Sequence, residues 1–517
     1  MSETNALTMR WIPVLLCNGR NDRLGILPVL KRAGEIHRIA ASNPMDNVAI
    51  FRLLLAVLQW CRPEGSEAEM AVLKEGIPDQ WLRNMLGTEE QPSEVFELLG
   101  PGNRFMQGPV SDSAGDRPVA DLFQELPGGT NVAHFRHVRD YDYGVCPACA
   151  AIGLVRLPPF MMGKGRGKRP GINGDPPMYF IPLGPTLLQS LYFNLPLLRV
   201  ADDAPCWLEQ FHDLAPDEAV RFMTGLTWMS RRFRIDEQTF TAGNCIMCGE
   251  ESETLAGRLL EMNLPYGPPG LSRAGSRWVD PHISYSEDGK PMKALDGEKD
   301  PCQAAGRCRK WLGTLASGDG YHWPSAVETA IGRSSDGSPW HLMVVEAPTR
   351  NDKSVEASVH HVKLGGDMQS LNGAFQGWDH IVSKLLDPQL RKKGKALASF
   401  KDRHPFRMVR HAERPLPASV RATMADRLPA LEESAWEHAR VSLASGTQLH
   451  RLVFPDGLSK VFVALDGMVS TVPGSPLKKR LAVIKLRGIL KGEADRVTTE
   501  SKTIAQEGES EVTDGAK

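Results

Sequence analysis

Two pairs of cysteines have the spacing of metal-binding motifs. Cys146 and Cys149 form one Cys-x-x-Cys pair, and Cys245 and Cys248 form a second pair that precedes Gly249. One tight turn can present both thiolates of such a pair to a single ion, and zinc takes four sulfur ligands in tetrahedral coordination. Four thiolates leave no position for a catalytic water, so the sequence predicts one structural zinc site that joins the two segments. The alternative interpretation is four reduced cysteines packed in the core.

A glycine-rich segment between the cysteine pairs alternates glycine with positive charge. Residues 163–171 read GKGRGKRPG and contain no acidic residue. The candidate contacts are Gly163, Lys164, Gly165, Arg166, Gly167, Lys168 and Arg169. Glycine lets the backbone approach another surface closely, and the cations attract phosphates, so the segment is a candidate nucleic-acid-binding loop. The alternative is a solvated flexible loop. The segment lacks the Gly-Lys-Ser/Thr ending of a P-loop and does not indicate nucleotide hydrolysis.

Catalytic motifs are not found in the sequence. There is no Gly-x-Ser-x-Gly, His-Glu-x-x-His or paired-aspartate nuclease pattern. His134 and His137 lie in a predicted loop without an obvious carboxylate partner, and His360 and His361 alternate in a predicted strand, so their rings face opposite ways. The sequence favours a binding protein over an enzyme. The main alternative is a zinc-dependent nuclease with His134, His137 or His360 near the metal.

Two basic stretches lie in the C-terminal part of the chain. Residues 391–414 hold nine basic and two acidic residues, and residues 478–491 hold six basic and no acidic ones. Such runs are typical of solvated helix faces, and a phosphate-binding face is the functional alternative. The candidate residues are Arg391, Lys392, Lys393, Lys478, Lys479, Lys485 and Arg487.

Composition is that of an ordinary globular protein. The 517 residues are 41% hydrophobic and 24% charged, with a net charge of −1, so any nucleic acid must be held by local basic patches. Residues 49–58 form the longest apolar run, and Arg52 interrupts it, so no membrane partner is expected. The first ten residues lack a secretory pattern, which predicts a cytoplasmic protein with reduced thiols. Five further cysteines are expected to be buried: Cys17, Cys61, Cys206, Cys302 and Cys308.

Apolar patterning predicts the elements that must position these residues. Residues 11–14 suit an edge strand, because Pro13 cannot donate to a sheet ladder, and Asn18-Gly19 marks the following turn. Asn43-Pro44 predicts the start of a buried helix, since an asparagine cap and a first-turn proline precede apolar residues at helical spacing. Residues 101–185 are dense in glycine and proline and are predicted to form irregular loops over a scaffold.

Short strands, then helices, are predicted for the rest of the chain. Residues 231–285 contain short apolar runs separated by turn residues, which is typical of small strands. The runs 341–345 and 354–364 flank a polar segment, so a hairpin with a polar tip is expected. From residue 377 the apolar spacing becomes helical, which predicts a small bundle. Residues 492–517 hold seven acidic and three basic residues and are expected to be disordered.

Several short motifs occur together with the cysteine pairs and the glycine-rich segment. They are Trp11-Ile12-Pro13-Val14, Phe105-Met106-Gln107, Thr130-Asn131, Trp278-x-x-Pro281-His282 and Gly377-Trp378. In their order and spacing they resemble the CasA family, the large subunits of type I-E CRISPR Cascade complexes. The resemblance implies an α+β fold, with a large mixed α/β N-terminal domain over residues 1–375 that includes the four-cysteine zinc site. A C-terminal helical bundle of the four-helix type over residues 376–491 and the acidic tail over residues 492–517 would follow.

The resemblance implies a role in recognition without catalysis. In such complexes the guide RNA reads the target strand by pairing, while the protein inspects a short flanking motif in the duplex, the PAM. The family reads the PAM from the minor groove with a glycine-rich loop, a lysine and a hairpin that wedges into the duplex. The implied partners are other Cascade subunits, the CRISPR guide RNA, PAM-containing duplex DNA, the displaced single strand and a helicase-nuclease. A scaffold subunit without DNA contact is a further alternative.

The resemblance also assigns roles to individual positions. The glycine loop corresponds to residues 163–171. The hairpin tip corresponds to Asn351, Asp352, Lys353 and Ser354, and the segment expected near the 5′ end of the guide RNA contains Thr130, Asn131, His134 and Phe135. Asp352 and Lys353 stand where the family has asparagine and glutamine, so PAM preference and wedge chemistry are expected to differ. The separate lysine has no clear counterpart, since the stretch before Trp278 offers only Arg273 and Arg277.

Overall fold

The structure, a computed structural model, describes most of the chain up to residue 364. The described residues are 3–63, 67–111, 114–123, 144–162, 170–174, 176–208, 220–229, 231–263, 278–293, 311, 314–315, 320–334, 340–347, 349–350, 353–354 and 357–364. Nearly all of them belong to one unit formed by Met1–Asp296, Tyr321–Arg333 and Pro339–Val362. The predicted bundle at residues 376–491 and the acidic tail at residues 492–517 lie outside the described residues.

Three antiparallel strands near the N-terminus form the first sheet. They are β1 (Ile12–Leu16), β2 (Asn21–Leu24) and β3 (Ile36–Ile39), and helix α1 (Ile26–Lys31) lies between β2 and β3. The order is β2-β1-β3, so β1 is central and the prediction of an edge strand is wrong. Pro13 is tolerated because it lies near the end of the pairing with β3, where its carbonyl accepts the N–H of Ala40 at 2.9 Å. The expected turn follows β1, with Gly19 at φ 82°.

The long helix α2 (Pro44–Cys61) begins where the sequence predicts. The side chain of Asn43 accepts the N–H of Met45 at 2.9 Å, and Pro44 occupies the first helical position. Side chains on every face of α2 are buried, so this helix forms the centre of the core. Two shorter helices, α3 (Glu67–Glu75) and α4 (Asp79–Leu86), follow it. Within the described part of the chain, no helix has the length and apolar character needed to cross a bilayer.

A helix occupies part of the region that the sequence predicts to be irregular loops. Strand β4 (Gly115–Pro118) is followed by helix α5 (Pro147–Phe160), which lies within residues 101–185, so the loop prediction is wrong there. Alanine and leucine dominate the first three turns, and proline at the first position favours a helix start. Helix α5 packs along α2, and between them the guanidinium of Arg156 donates to the carboxylate of Asp46 at 2.7 Å.

The predicted short strands are present between residues 231 and 263. After β5 (Tyr179–Leu183) and the helices α6 (Leu187–Asn194) and α7 (Phe222–Thr227), the chain forms four strands. They are β6 (Arg231–Ile235), β7 (Thr241–Asn244), β8 (Glu251–Leu255) and β9 (Arg258–Asn263). Strand β9 pairs with β4 and β6, while β7 and β8 form a separate hairpin.

A further sheet brings together distant parts of the chain. Helix α8 (Ser325–Arg333) precedes β10 (Trp340–Glu346), which lies between β5 and β13 (Ser358–Leu364). Two short paired strands, β11 (Thr349–Arg350) and β12 (Lys353–Ser354), connect β10 to β13. The predicted hairpin between these strands is therefore confirmed, and the described residues as a whole are a mixture of helices and strands.

A buried ion pair connects α2 to the segment around residue 280. Arg52 donates through Nη1 and Nη2 to the two carboxylate oxygens of Asp280 at 2.8 and 2.7 Å, and both side chains are at most 1% exposed. Arg52 also lies over the ring of Tyr179 at 5.1 Å and donates to Nδ1 of His282 at 3.0 Å. A charge here requires its partner, because removing one member of a buried pair typically costs about 3–5 kcal/mol.

His282 is held in one neutral form by its neighbours. Its Nδ1 accepts from Arg52, so its Nε2 carries the proton and donates to Asn194 Oδ1 at 3.1 Å. Burial, reinforced by the charge of Arg52 and opposed by Asp280, lowers the pKa of His282 to about 3. Burial alone would raise the pKa of Asp280, but the charge and hydrogen bonds of Arg52 lower it.

We expect His282 to make the fold sensitive to acid. The unfolded chain binds a proton on this histidine below its ordinary pKa of 6.5, whereas the folded chain does not until about pH 3. The free energy of unfolding therefore decreases as the pH is lowered from 6.5 towards about 3, by up to about 1.4 kcal/mol per pH unit. Urea unfolding of the wild type and of His282→Gln at pH 7, 6 and 5 should show a shallower decline in the variant. Exposed His37→Gln is the control, and equal slopes for all three proteins would contradict this account.

Candidate nucleic-acid interface and metal centre

The two cysteine pairs meet at one point of the fold. Cys146 is the N-cap of α5, and Cys149 lies in the first turn of that helix. Cys245 and Cys248 lie in the turn that connects β7 to β8. The second pair therefore occupies a tight turn, as predicted, whereas the first pair uses the start of a helix.

The four sulfur atoms are close enough to share one ion. They lie within 4.8 Å of one another, and Cys146 Sγ is 3.7 Å from Cys248 Sγ. Bonds of about 2.3 Å to a tetrahedral zinc ion separate the sulfur atoms by roughly 3.8 Å. Three of the cysteines are buried, and Cys248 is partly buried. The cluster can hold a metal ion after only small side-chain movements.

Backbone hydrogen bonds fix the two segments that carry the cysteines. Val145 and Ala256 each donate an N–H to the carbonyl of the other at 2.9 Å. Ile246 donates to the carbonyl of Gly144 at 3.1 Å, and within the turn Gly249 donates to that of Cys245 at 2.8 Å. Gly249 has a φ of 76°, which closes the turn after the second pair. The scaffold itself thus brings the sulfur atoms together.

Because the thiols lie close together, the pKa values of Cys245 and Cys149 shift in opposite directions. Hydrogen bonds from the thiols of Cys146 and Cys149 lower the pKa of Cys245, and the backbone N–H of Cys146 also lies 3.3 Å from its sulfur. Hydrogen bonds to Cys146 and Cys245 raise the pKa of Cys149. The cluster therefore favours a thiolate at Cys245, and thiolates are the form that binds metal.

The glycine-rich segment begins and ends at the C-terminal end of α5. Residues 163–169 lie outside the described residues, but the chain on both sides is described. The N–H of Gly171 donates to the carbonyl of Met161 at 2.8 Å, which closes the base of the segment. A Cβ atom at Gly171 would lie 2.9 Å from the carbonyl oxygen of Pro158, so this close approach requires glycine.

Buried polar groups hold both ends of the segment. On the first side, Arg231 donates to the carbonyl of Met162 at 2.8 Å and to the carboxylate of Glu261 at 2.7 Å. On the second side, the amide of Asn173 donates to the carboxylate of Asp280 at 2.9 Å. The ends of the segment are therefore fixed by charged and polar residues that water does not reach.

The root of the β11–β12 hairpin lies at the same end of the sheet as this base. In the antiparallel pairing of β5 with β10, Tyr179 lies opposite Val345, so the start of β5 is beside the end of β10. The hydroxyl of Tyr179 donates to the carbonyl of Pro159 at 2.7 Å, which places the end of α5 there as well. The chain leaves β10 for the hairpin at this point.

Two of the four predicted hairpin-tip residues belong to a strand. Lys353 and Ser354 form β12, where they pair with Arg350 and Thr349. The connecting residues Asn351 and Asp352 lie outside the described residues. The remaining predicted contacts also lie outside them: Gly163, Lys164, Gly165, Arg166, Gly167, Lys168, Arg169, Arg273, Arg277, Thr130, Asn131, His134, Phe135, Arg391, Lys392, Lys393, Lys478, Lys479, Lys485 and Arg487.

The other cysteines and histidines separate into confirmed and corrected predictions. Cys61 and Cys206 are buried, as predicted, but Cys17 is exposed because it follows the end of β1 at the turn. His360 contacts Glu346 at 3.5 Å, and His361 is exposed on the same strand. In the part of the chain that the structure describes, the four cysteines are the one group of three or more potential metal ligands. His137, a candidate metal neighbour, lies outside that part, and so do Cys302 and Cys308, which the sequence predicts to be buried.

Sequence reasoning missed the buried polar residues that hold the base of the glycine-rich segment. Arg52 interrupts an otherwise apolar run, which indicates that a residue of opposite charge is buried beside it. The sequence alone does not show which residue that is. Asp280 lies within the motif Trp278-x-x-Pro281-His282, between the tryptophan and the histidine. Trp278 in the same motif packs against α7, where a Cβ on Gly225 would lie 2.3 Å from its ring.

Comparison with known sequences identifies a family. The family model of CRISPR-associated protein Cse1 matches residues 5–334, which is more than half of the chain. The CRISPR-associated protein CasA/Cse1 of Thermus thermophilus is 32% identical over 220 residues. That alignment covers 40% of this chain and 42% of the relative, so it spans less than half the length of that protein.

Comparison with solved structures shows a shared fold. The crystal structure of Thermus thermophilus CasA matches with a TM-score of 0.58 at 19% identity, covering 96% of this chain and 99% of that chain. Thermobifida fusca Cse1 matches with a TM-score of 0.64 at 18% identity, covering 95% and 98%. A chain of a CRISPR RNA-guided surveillance complex matches with a TM-score of 0.61 at 15% identity, covering 94% and 99%. From the extent of the family match, this chain belongs to the Cse1 (CasA) family of CRISPR-associated proteins.

Proposed function

We propose that this chain is the large subunit of a type I-E-like CRISPR Cascade complex and that it inspects the PAM in duplex DNA from the minor groove. The observation that carries the proposal is the family match over residues 5–334. The fold shared along 94% of the chain with a chain of a surveillance complex supports it. In this function the guide RNA reads the target by pairing, and the protein reads only the short flanking motif.

The arrangement of the two candidate DNA-contacting elements supports this proposal. The base of the segment 163–169 and the root of the β11–β12 hairpin lie at one end of the β13-β10-β5 sheet. Two loops from one end of a sheet can reach the same groove together. Cations of the segment would neutralise phosphates, while the hairpin would enter the duplex and separate the first base pairs, at a cost of about 1.4 kcal/mol per step.

The remaining partners follow from the same proposal. The segment containing Thr130 and Phe135 would dock near the 5′ end of the guide RNA. The basic surface around Arg391 and Lys478 would contact the displaced single strand or neighbouring subunits. The assembled complex would then recruit the helicase-nuclease that cuts, which leaves this chain with a non-catalytic role in the cytoplasm.

We expect the cations of the glycine-rich segment to contribute to duplex binding. The variant Lys164→Ala/Arg166→Ala, assembled with the other subunits and guide RNA, should bind PAM-containing duplex roughly tenfold to a hundredfold more weakly at about 0.1 M salt. The salt dependence should be shallower by about 2 in the log–log slope, because each phosphate contact contributes about 0.9. Exposed Lys74→Ala/Arg83→Ala on α3 and α4 is the charge-matched control. Unchanged binding by the first variant would instead support a scaffold without DNA contact.

We also propose that the cysteine cluster binds one structural zinc ion, which would hold the start of α5 to the β7–β8 turn. Metal analysis of the purified chain should give about one zinc per molecule. Cys149→Ser and Cys248→Ser should lose the metal and melt at a lower temperature, because each removes one of four ligands. Exposed Cys17→Ser should retain both metal and melting temperature. A fully reduced wild-type protein that contains no metal would refute the zinc site.

A cleavage assay tests the non-catalytic role. Purified chain incubated with single- and double-stranded DNA and with RNA, in the presence of magnesium or zinc, should leave all substrates intact. The expectation follows from a four-cysteine cluster, which offers no open coordination position for an activated water. Cleavage that disappears in Cys149→Ser would favour the alternative of a zinc-dependent nuclease.

A further inference from the structure

An exposed apolar turn follows helix α6. It consists of Leu197, Leu198 and Val200, which are 44%, 65% and 49% exposed. These three residues, hereafter the apolar turn, lie within four positions of one another, in a unit whose other large apolar side chains are mostly buried. Large apolar side chains that cluster on a surface mark sites of association more often than isolated ones do.

Buried side chains hold the backbone of the apolar turn in place. Gln59 and Arg62, at the C-terminal end of α2, are 1% and 0% exposed. The Gln59 amide donates to the carbonyl of Leu198 at 3.2 Å, and Arg62 Nη2 donates to the carbonyl of Leu197 at 3.0 Å. These two hydrogen bonds fix the backbone at Leu197 and Leu198, whose side chains are exposed. The core of the folded protein therefore holds the exposed leucines in one arrangement.

Three guanidinium groups surround the apolar turn. Arg199 donates to the carbonyl of Arg62 at 2.6 Å, and Arg333 of α8 donates to the carbonyls of Leu195, at 2.8 Å, and Tyr192. Burial lowers the pKa of Arg62 to about 10; Glu69 opposes this, and the like charges of Arg333 and Arg199 add to it. These bonds cap the C-terminal ends of α2 and α6, which explains the arginines but not the exposed leucines.

The carboxylates next to the apolar turn in sequence are already engaged. Asp203 accepts the N–H groups of Met223 and Thr224 at the start of α7, at 2.7 and 3.0 Å. Asp202 pairs with Arg221 at 3.6 Å. Among the described residues, Arg199 and Arg333 form no ion pair with a carboxylate, and both are partly exposed. Within the described residues, the surface thus combines an apolar tip with two guanidinium groups that have no carboxylate partner, while Glu69 acts on the charge of Arg62.

We propose that the apolar turn docks a neighbouring protein subunit of the surveillance complex, through an apolar pocket that receives Leu198 and carboxylates that face Arg199 and Arg333. The inference rests on the proposed function and names a contact for it. A protein partner fits this surface better than nucleic acid does. Aliphatic side chains give bases neither a stacking platform nor hydrogen bonds, whereas apolar anchors ringed by charge are typical of protein interfaces.

Reconstitution of the complex with guide RNA tests the docking site. The variant Leu197→Ser/Leu198→Ser should join the other subunits at least about tenfold more weakly than the wild type, as expected for the loss of buried anchors. Leu198→Asp should be weaker still, because its charge would face carboxylates. Val359→Ser on β13, which removes an apolar side chain of 37% exposure from a different element, is the control and should assemble normally. Thermal melting of each purified variant reports on folding.

The possible outcomes separate this inference from the proposed function. If the wild type does not join the complex, the proposed function fails and the docking site fails with it. If the wild type assembles and Leu197→Ser/Leu198→Ser assembles equally well, only the docking site is overturned. The same holds if that variant assembles normally but binds guide RNA or duplex DNA more weakly. Should the double variant melt at a lower temperature, Leu198→Ala, which truncates one exposed side chain, decides the question by its affinity.

Discussion

The guanidinium of Arg52 lies on α2 among apolar side chains, and its charge has to be compensated inside the protein because water does not reach it. Asp280 supplies the opposite charge, His282 and Tyr179 occupy the remaining space around it, and Asn173 shares the carboxylate. These residues come from four separate parts of the chain. A core of apolar contacts alone would tolerate small shifts between those parts, whereas a buried ion pair with fixed hydrogen bonds permits one arrangement.

Helix α5 connects the buried ion pair to the candidate nucleic-acid interface. At its start, Cys146 and Cys149 belong to the cysteine cluster, and along its length it packs on α2. At its end, Pro159 accepts from Tyr179, whose ring lies beneath Arg52. The helix is therefore fixed at both ends by polar interactions, and the glycine-rich segment starts from a rigid support. The β11–β12 hairpin continues from the same sheet, so the two elements share that support.

Much of the fold could be predicted from local sequence, and the failures have physical causes. Asn43-Pro44 predicts α2, and short apolar runs predict β6 to β9, because caps and periodicity act within a few residues. Helix α5 was missed because nearby glycines and prolines dominated the pattern, although α2 supplies the packing that stabilises it. The Cys-x-x-Cys spacing identified the cluster, since both pairs carry the signal themselves. The partner of Arg52 could not be identified, because Asp280 is distant in sequence and only tertiary structure brings the two together.

The hydrogen bond from Gly171 to Met161 closes the base of the glycine-rich segment. Sequence changes within the segment can therefore accumulate without altering the scaffold that holds it. A loop whose ends are clamped can change length at little cost to the folded state, since doubling its length costs only about 0.6 kcal/mol in closure entropy. Insertions, deletions and charge changes between the clamped ends therefore leave the core intact. Under the proposed function, variation of this one segment would change which DNA sequences a family member accepts, while selection on stability acts on the residues that clamp it.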